Sequence, residues 1–437
     1  MNQDRASTTT NSQLKEGYKQ TEVGVIPEDW SISTVGEEFS IQLGKMLDAD
    51  KNIGTPKPYL GNRSIQWGHI EIDNISLISL TPSDIQRFRL KKGDLLVCEG
   101  GESGRAAIWN NQINECYYQK ALHRLRPNKG YNVFLMLCFL QRWVSIGFLS
   151  DFITQTSIAH LPKEKFEQVP LLVPPLPEQE AIACTLSDID ALIESLDRLL
   201  TKKRQIKQGA MQELLTGKKR LPKFDNCQHY IQTEIGVIPK DWHLISLTTI
   251  ADVRDGTHDS PKYVKEGVPF ITSKNIVNGN IDFQDIEYIS TEDAYQVNKR
   301  SKVDKDDILM SMIGTVGNVA SVDFDLEFCI KNVALIKPIH SKIEATFLTQ
   351  LFRSDFYGRY VTGKLDGGIQ KFISLGILRC LDVPLPPTKD EQIDIANILS
   401  DMDAEIGSIS AKLAKTRQLK QGMMHELLTG RIRLVES

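Results

Sequence analysis

The sequence predicts an α+β fold duplicated in tandem. An α+β domain followed by a long helix occurs twice, and the two helices pair as an antiparallel coiled coil with pseudo-twofold symmetry. Three observations predict this fold: the ends of two segments recur about 212 residues apart, both interiors mix short β-rich runs with turn signals, and both segments close with a heptad stripe. At 437 residues, the chain is long enough for two separate cores.

The repeat is clearest at the ends of the two copies. Residues 18–30 read YKQTEVGVIPEDW and residues 230–242 read YIQTEIGVIPKDW, with ten of thirteen positions identical. KQGAMQELLTG at 207–217 returns as KQGMMHELLTG at 420–430, with nine of eleven identical. Because the period is far too long for a solenoid, it indicates two equivalent domains.

Composition excludes several classes of protein. Hydrophobic residues make up 41% and charged residues 25% of the chain, as in a globular protein, and no apolar run is long enough to span a membrane. The polar N-terminus has no apolar signal core, so we expect a cytoplasmic protein. The seven cysteines are scattered and lack CxxC spacing, which indicates neither a disulfide framework nor a zinc site.

The interior of each copy predicts an α+β domain. Apolar runs such as DLLVC, DILMSMI and NVALIKP alternate with turn signals such as GGESG and VNGN. Proline clusters at 173–177 and 384–387 then precede the helices. We predict the following segments: a disordered tail at 1–17, domain 1 at 18–175, a central helix at 176–217, a linker at 218–229, domain 2 at 230–387 and a C-terminal helix at 388–430.

Each predicted helix carries an apolar stripe at spacings of three and four. The predicted coiled-coil core is Ile182, Leu186, Ile189, Ile193, Leu196 and Leu200 in the first copy, and Ile395, Leu399, Met402, Ile406, Ile409 and Leu413 in the second. After Lys203 and Thr416, the stripe is predicted to resume at Ile206, Ala210 and Leu214, and at Leu419, Met423 and Leu427. Gly217 and Gly430 are suited to cap the helix ends.

The charges of the helices predict how they pair. The first half of each helix is acidic and the second half is basic. Antiparallel pairing places each acidic half against a basic half, whereas parallel pairing would place like charges together. The alternative, two charged helices docked separately on their own domains, stays open at this point.

Motifs for catalysis are incomplete. The segment GRYVTGKL at 358–365 matches the GxxxxGK of a phosphate-binding loop, but Leu365 stands where a Ser or Thr would bind magnesium. No metal-ligand cluster and no nucleophile arrangement is evident. We therefore expect a non-enzymatic chain with no catalytic residues, no metal site and no cofactor of its own.

The paired VGVIPEDW and IGVIPKDW segments, the PPLPEQEAIA and PPTKDEQIDIA helix starts, and the ELLTGKKRLP and ELLTGRIRL endings together resemble the specificity subunit of type I restriction-modification systems. The resemblance covers roughly residues 18–434. It implies two target-recognition domains, each reading one half of a split site in double-stranded DNA, joined by an antiparallel coiled coil. It also implies that two methyltransferase subunits and ATP-driven restriction subunits assemble with the chain, and that these partners carry S-adenosylmethionine, ATP and magnesium.

Polar and basic residues of glycine-bearing loops are the candidate DNA contacts, because backbone can approach phosphate there and side chains can reach base edges. In the first domain they are Lys45, Arg63, Gln66, Trp67, Ser103, Arg105, Lys120, Ser157 and His160; in the second, Thr257, His258, Lys274, Asn275, Thr315, Asn318, Lys331, Gln370 and Lys371. Arg105 and Asn318 occupy matching loop positions with different chemistry, which predicts different half-sites. For each candidate, a purely structural role in a solvated loop is an equal alternative.

Two other functions stay open. One is a fused restriction or modification enzyme with a degenerate catalytic motif, and the other is a structural coiled-coil adaptor that does not bind DNA. The half-site sequences and the length of the spacer between them do not follow from the sequence, because direct readout depends on how side chains enter the groove.

Overall fold

A computed structural model describes residues 16–48, 52–155, 159–225, 229–277, 279–314, 316–364 and 372–435. The chain forms two compact units, of which only unit 2 is a continuous segment. Unit 1 comprises Met1–Leu196 and Lys412–Ser437, and unit 2 comprises Asp197–Ala411. Each unit thus contains one recognition-domain copy together with one half of each long helix.

The strands of unit 1 are β1 (Tyr18–Thr21), β2 (Gly24–Pro27), β3 (Ser31–Thr34), β4 (Phe39–Leu43), β5 (Thr55–Leu60), β6 (Ile65–Gln66), β7 (His69–Ile70), β8 (Ser76–Leu80), β9 (Leu95–Cys98), β10 (Ala106–Ile108), β11 (Tyr117–Tyr118), β12 (Leu122–Pro127) and β13 (Pro170–Val173). Its helices are α1 (Val35–Glu38), α2 (Pro82–Phe88), α3 (Val133–Ser145) and α4 (Lys163–Glu167), and the long helix α5 (Leu176–Leu214) begins in this unit.

The strands of unit 2 are β14 (Tyr230–Thr233), β15 (Gly236–Pro239), β16 (His243–Ser246), β17 (Ala251–Asp255), β18 (Tyr263–Val264), β19 (Val268–Thr272), β20 (Ile276–Val277), β21 (Asn280–Ile281), β22 (Glu287–Ile289), β23 (Ile308–Ser311), β24 (Val319–Ser321), β25 (Cys329–Lys331), β26 (Val333–Pro338) and β27 (Asp382–Leu385). Its helices are α6 (Leu247–Ile250), α7 (Thr291–Ser301), α8 (Ala345–Arg353), α9 (Asp355–Gly363) and α10 (Leu375–Arg379), and the second long helix, α11 (Lys389–Leu427), begins in this unit.

The two units share one sheet topology. A four-stranded antiparallel sheet has the order β10-β9-β12-β4 in unit 1 and β24-β23-β26-β17 in unit 2. A second sheet, β11-β5-β8, corresponds to β25-β19-β22, to which unit 2 adds β18. The predicted α+β class and tandem duplication are therefore confirmed.

In each four-stranded sheet, one of the two central strands, β9 or β23, clearly shows burial on both faces. In β9, Leu95 and Val97 belong to one hydrophobic cluster, whereas Leu96 and Cys98 belong to another. Successive side chains of a strand point to opposite faces, so a strand between two cores has no polar alternation. This is why DLLVC and DILMSMI read as uninterrupted apolar runs.

The long helices pair antiparallel within each unit. In unit 1, Lys420 Nζ lies 2.7 Å from Asp190 Oδ1, and Arg433 beyond the end of α11 lies 2.6 Å from Glu178 near the start of α5. Residues nearer the C-terminus of α5 thus pair with residues nearer the N-terminus of α11, which is the order expected of antiparallel helices. Unit 2 has the equivalent pairs Lys207–Asp403 at 2.6 Å and Arg220–Glu391 at 2.5 Å. The predicted antiparallel pairing of acidic with basic halves is confirmed within each unit.

Eight of the twelve predicted core residues are buried, and Ile193, Met402, Ile406 and Ile409 are half-buried. The predicted continuation of the stripe is wrong at Ile206 and Leu419, which are 46% and 58% exposed. Lys207 and Lys420 take the inward positions instead, because each pairs with an aspartate of the facing helix. The predicted apolar packing is confirmed at the half-buried Ala210 and Met423, which contact the two cores, and at the buried Leu214 and Leu427; Met211 and Met424 add to it.

A β-hairpin closes the end of each long helix. In unit 1, Tyr18 Oη donates to the carbonyl of Gly430 at 2.8 Å, and a side chain at Gly430 would meet Pro27 at 2.5 Å. In unit 2, Gly217 approaches Pro239 in the same way. Both glycines have φ near +65°, the left-handed cap predicted from sequence. The repeated GVIP and ELLTG segments therefore contact each other across the two copies of the sequence.

Candidate nucleic-acid interface

Two loops run side by side at one end of the four-stranded sheet of unit 1. The backbone N–H of Lys45, after β4, donates to the Tyr118 carbonyl at 3.0 Å, and the N–H of Lys120 donates to the Lys45 carbonyl at 2.8 Å. This pairing continues beyond the regular strands, with the Lys120 side chain exposed and the Lys45 side chain half-buried. It brings two sequence-predicted residues, Lys45 and Lys120, together.

Unit 2 repeats this backbone frame. The N–H of Thr257, after β17, donates to the Ile330 carbonyl at 3.1 Å, and the N–H of Asn332 donates to the Thr257 carbonyl at 3.3 Å. Thr257 and Lys331 are bridged in parallel as Lys45 and Gln119 are. The frame is thus a property of the repeat, while its side chains differ.

A glycine makes the close approach possible in each unit. A Cβ at Gly44 would lie 2.3 Å from the carbonyl oxygen of Tyr118, and one at Gly256 would lie 2.4 Å from that of Ile330. Backbone cannot move aside as a flexible side chain can. These glycines are therefore required by space at the point where the two loops meet.

We define loop cluster 1 by its members Lys45, Asn62, Glu99, Ser103, Arg105, Lys120 and His160. Asn62 Nδ2 donates to the Gly100 carbonyl at 2.9 Å, and Ser103 Oγ donates to the Glu99 carbonyl at 2.9 Å. Burial raises the pKa of the Glu99 carboxyl, against the opposing effect of Lys120 and His160. The cluster therefore offers both hydrogen-bond donors and acceptors, and the Lys120 side chain is exposed.

We define loop cluster 2 by its members Thr257, His258, Ser260, Ser273, Asn318, Lys331 and Asn332. The ring nitrogens of His258 lie 2.9 Å from Asn332 Oδ1 and 3.0 Å from Asp255 Oδ2. These hydrogen bonds, that to Asn332 first, raise the pKa of His258 above its ordinary value. Lys331 donates to Ser260 Oγ. This cluster thus presents an imidazole that is readily protonated beside hydroxyl and amide groups.

Arg105 and Asn318 have matching structural contacts despite their different chemistry. Arg105 Nη2 donates to the Asn62 carbonyl at 3.0 Å, and Asn318 Nδ2 donates to the Ile276 carbonyl at 3.0 Å. In each unit the side chain ties the turn after the central strand to the neighbouring hairpin segment. Arg105 is also paired with Glu102 at 2.8 Å. Both residues are occupied in holding the loops together.

Other predicted residues lie around these clusters. Lys45 pairs with Asp84 at 3.0 Å, and Lys274 pairs with Asp285 at 3.0 Å. Gln66 donates to the carbonyl of Arg63, whose side chain is exposed.

Asn275 is buried, with hydrogen bonds to Thr272, Asp282 and Asp285, so its amide maintains the turn. Trp67 lines a cavity of about 840 Å³ beside α3 and the helix pair. Ser157, Thr315, Gln370 and Lys371 lie outside the described residues.

Sequence reasoning missed two asparagines of these clusters. Asn62 precedes the β6–β7 hairpin, and Asn332 has a positive φ of 53° at the turn into β26. The "KN" pair before an apolar strand is a turn signal that could have identified Asn332, because asparagine tolerates the left-handed conformation. For Asn62 no such local signal exists.

The described residues contain no group of three or more histidine, cysteine or acidic side chains placed to hold a metal ion. None of the described helices is both long and apolar enough to cross a membrane. The GRYVTGK segment belongs to α9 and the residue that follows it, so a helix stands where a phosphate-binding loop would need a turn.

Comparisons with known proteins agree with this architecture. The family model for the type I restriction modification DNA specificity domain matches residues 27–207 and again residues 239–417. The type I restriction enzyme MjaX specificity subunit of Methanocaldococcus jannaschii is 30% identical over 96% of this chain and 97% of its own length. The EcoBI specificity subunit of Escherichia coli is 28% identical over 65% of this chain and 64% of its own.

Solved structures share the fold. The S subunit of a type I restriction-modification system from M. genitalium aligns with a TM-score of 0.59 at 16% identity, covering 91% of this chain and 96% of that one. A chain from a study of the assembly and conformational transition of a type I system aligns with a TM-score of 0.54 at 17% identity, covering 93% and 99%. With two matching domains and a relative along almost its whole length, the chain belongs to the family of type I restriction enzyme specificity subunits and is a DNA-recognition subunit.

Proposed function

We propose that the chain reads a two-part site in double-stranded DNA, one half through loop cluster 1 and the other through loop cluster 2. The observation that carries this proposal is the duplicated backbone frame with different side chains. In unit 1, Lys45 and Lys120 form the backbone hydrogen bonds of the frame. In unit 2, Thr257 and Asn332 form the corresponding hydrogen bonds. Because each base pair presents its own pattern of donors and acceptors in the major groove, two such sets of side chains select two different sequences.

The chain acts without catalysing a reaction, and it directs partner subunits to the site in the cytoplasm. Two methyltransferase subunits bind S-adenosylmethionine, and restriction subunits bind ATP and magnesium. Support for two copies of one partner comes from Ile206 and Leu419, which are exposed at equivalent positions of α5 and α11, one in each unit. A single exposed apolar residue is ordinary on a protein surface, so the support for a partner interface comes from its recurrence at the same position of both helices.

Methylation mapping tests the reading of two half-sites. The complex assembled with its methyltransferase partners is incubated with genomic DNA, and methylated adenines are located by sequencing. We expect one two-part motif. Multi-residue replacement of the exposed side chains of loop cluster 2 should then change one half of the motif and leave the other half unchanged. A change in both halves would contradict the assignment of one half to each unit.

Single lysine variants distinguish phosphate contacts from base contacts. If Lys120 meets phosphate, Lys120→Ala should weaken binding to all sequences and lower the slope of log K against log salt by about 0.9. Lys331→Ala provides the measurement for loop cluster 2, where Lys331 is the structural counterpart of Gln119. Loss of discrimination at one base pair with an unchanged slope would instead assign the residue to base reading.

Substitution of the two exposed apolar residues tests partner docking. Leu419→Gln should remove one methyltransferase from the complex, and the Ile206→Gln/Leu419→Gln double variant should remove both, as measured by native mass spectrometry. Leu77→Gln is the control, since Leu77 is 65% exposed on β8, away from the helices. A double variant that retains both partners would show that they dock elsewhere.

The purified chain alone tests the absence of catalysis. We expect neither methylation nor cleavage when it is incubated with DNA, magnesium, ATP and S-adenosylmethionine. Either activity would support the alternative of a fused enzyme. Failure of the assembled complex to bind any DNA would support the structural adaptor.

A further inference from the structure

An exposed basic patch lies in unit 1 at the end of the four-stranded sheet opposite to loop cluster 1. We define the basic patch as Arg87, Arg89, Lys91 and Lys92, which follow one another through the end of α2 and the turn before β9. Helix α2 ends at Phe88, and the next residue has extended backbone with φ −64° and ψ 128°. Leu90 is buried, so Arg89 and Lys91 on either side of it face solvent, about 6–7 Å apart.

The carboxylates nearest the patch are bound by other groups, although Arg89 also acts electrostatically on Glu115. Among the residues that the structure describes, none of its four side chains forms an ion pair. The nearby Asp94 is 2% exposed and is occupied by Arg126 and by the backbone N–H of Lys91 at 2.7 Å. Glu115 is held by Lys57 at 2.7 Å and by Tyr117. The positive charge of the patch therefore faces solvent.

The second copy has the same turn without the charge excess. Asp307 accepts from the backbone N–H of Asp304 at 2.7 Å, as Asp94 accepts from Lys91. Here, however, Lys337 pairs with both Asp304 and Asp307, and Lys302 lies 3.4 Å from Asp304. The fold of this turn thus does not require unpaired cations. Of the equivalent cations that the structure describes in unit 2, Arg300 and Lys302 are in ion pairs and Lys305 is not, so the excess of four unpaired cations in unit 1 points to a ligand of that unit.

We propose that the basic patch binds the phosphate backbone of a second stretch of double-stranded DNA, outside the half-site at loop cluster 1. The inference rests on the proposed function in that loop cluster 1 holds one half-site. Strand β12 runs from Leu122, just after the turn that holds Lys120, to Pro127, and Arg126 near its far end pairs with Asp94 beside the patch, so the patch and the loops lie at opposite ends of one sheet. We infer that DNA flanking the half-site, either running along the sheet or bent toward its far end, reaches the patch.

The chemistry of the patch favours DNA over an acidic protein segment. Duplex DNA carries one negative charge per about 1.7 Å of its axis, so a row of four cations can meet several phosphates at once. The four side chains are all cationic and exposed, which suits contacts with phosphate oxygens. We expect binding at this patch to be independent of sequence, and a dependence on the flanking bases would contradict this.

Salt-dependent binding of the assembled complex tests the proposal. The variant R89Q/K92Q removes two charges of the patch, and K302Q/K305Q removes charges at the equivalent positions of unit 2. Each complex is titrated with a 60-base-pair duplex centred on the site found by methylation mapping, and with a duplex trimmed to that site. We expect R89Q/K92Q to lower the salt slope by about 1.8 on the long duplex, at about 0.9 per phosphate contact. Its affinity deficit should shrink roughly tenfold between 50 and 200 mM salt.

The other combinations of variant and duplex distinguish the proposal from its alternatives. We expect wild type, R89Q/K92Q and K302Q/K305Q to bind the trimmed duplex alike, and K302Q/K305Q to match wild type on the long one. An equal loss of affinity for both duplexes would assign the patch to the half-site itself. An equal loss of affinity in K302Q/K305Q would show that only the overall charge of the protein matters. An unchanged slope with loss of a methyltransferase subunit would assign the patch to an acidic protein. Each of these results would overturn the proposal, whereas failure of the proposed function would appear separately as a wild-type methylation map without a two-part motif.

Discussion

Replacing Arg220 should destabilise unit 2 more than any other single change at the helix ends. Its guanidinium is 3% exposed and donates to both carboxylate oxygens of Glu391, at 2.5 and 2.8 Å, and to Asp241 at 3.0 Å. Glu391 is itself 1% exposed. Arg220→Met keeps the stem of the side chain but leaves a buried carboxylate without its partner, which costs about 3–5 kcal/mol.

The equivalent residue of unit 1 is a matched comparison. Arg433 pairs with Glu178 and Asp29, but it is 20% exposed, and Glu178 also accepts from Trp30 Nε1 at 2.7 Å. Because Glu178 keeps one donor and water can reach the site, Arg433→Met should cost only about 1.5–3 kcal/mol. The two variants should therefore destabilise different units by different amounts.

Fluorine NMR during urea unfolding can measure each unit separately. With 5-fluorotryptophan incorporated, Trp242 reports on unit 2 and the other four tryptophans report on unit 1. For a dependence on urea of about 2 kcal/mol per molar, Arg220→Met should lower the Trp242 midpoint by about 1.5–2.5 M. Arg433→Met should instead move the resonances of unit 1.

Two further measurements test the cause. Burial raises the pKa of the Glu391 carboxyl, so without Arg220 this group takes up a proton more readily in the folded state than in the unfolded state. The destabilisation by Arg220→Met should therefore shrink as pH falls from 7 toward 5. The Arg220→Met/Glu391→Leu variant, which removes both buried charges, should recover most of the loss. A midpoint shift below 0.5 M, or a double variant no more stable than the single one, would refute this reasoning.

Three other predictions concern the frame of the loops, a buried histidine and the long helices. Gly44→Ala and Gly256→Ala should each separate the paired loops and abolish recognition of one half-site in a methylation map. The subunit composition of the complex should stay unchanged, and loss of both half-sites would contradict a local effect. Burial lowers the pKa of His123 to about 4, so stability should fall by at most about 3 kcal/mol as pH drops from 6.5 to 4, and His123→Gln should lose this pH dependence in urea titrations. Gly407→Ala, with no atom within 4 Å of its added Cβ, should stabilise the protein by about 0.5–1 kcal/mol; a lower unfolding midpoint would contradict its open helical environment.

Periodicity and repetition in the sequence predicted the duplication, the two long helices and their antiparallel pairing. These features depend on local spacing and on charge order along a single helix, and the chain shows both directly. The same reasoning failed at Ile206 and Leu419, because a heptad count assigns apolar residues to the inside. It cannot show that a lysine and an aspartate, on helices far apart in the sequence, form an ion pair there.

The candidate interface was only partly predictable. Glycine-bearing loops identified Lys45, Lys120, Thr257 and Lys331, which the folded chain brings together in pairs. Sequence could not show that Arg105 and Asn318 hold backbone carbonyls, nor that Asn275 is buried in its turn. Side chains of the same type bind a ligand or support a loop, according to which groups lie nearby.

The sequence by itself determined that one scaffold occurs twice, because identical segments at a fixed offset must fold alike. Only the tertiary structure decided how each compact unit is completed. Unit 1 takes its closing helix segment, with Arg433, from the far end of the chain, where it meets Glu178 and the hairpin that begins at Tyr18. The physical reason is that buried charges and apolar faces select their partners by proximity and complementarity in space, and separation along the chain carries no information about either.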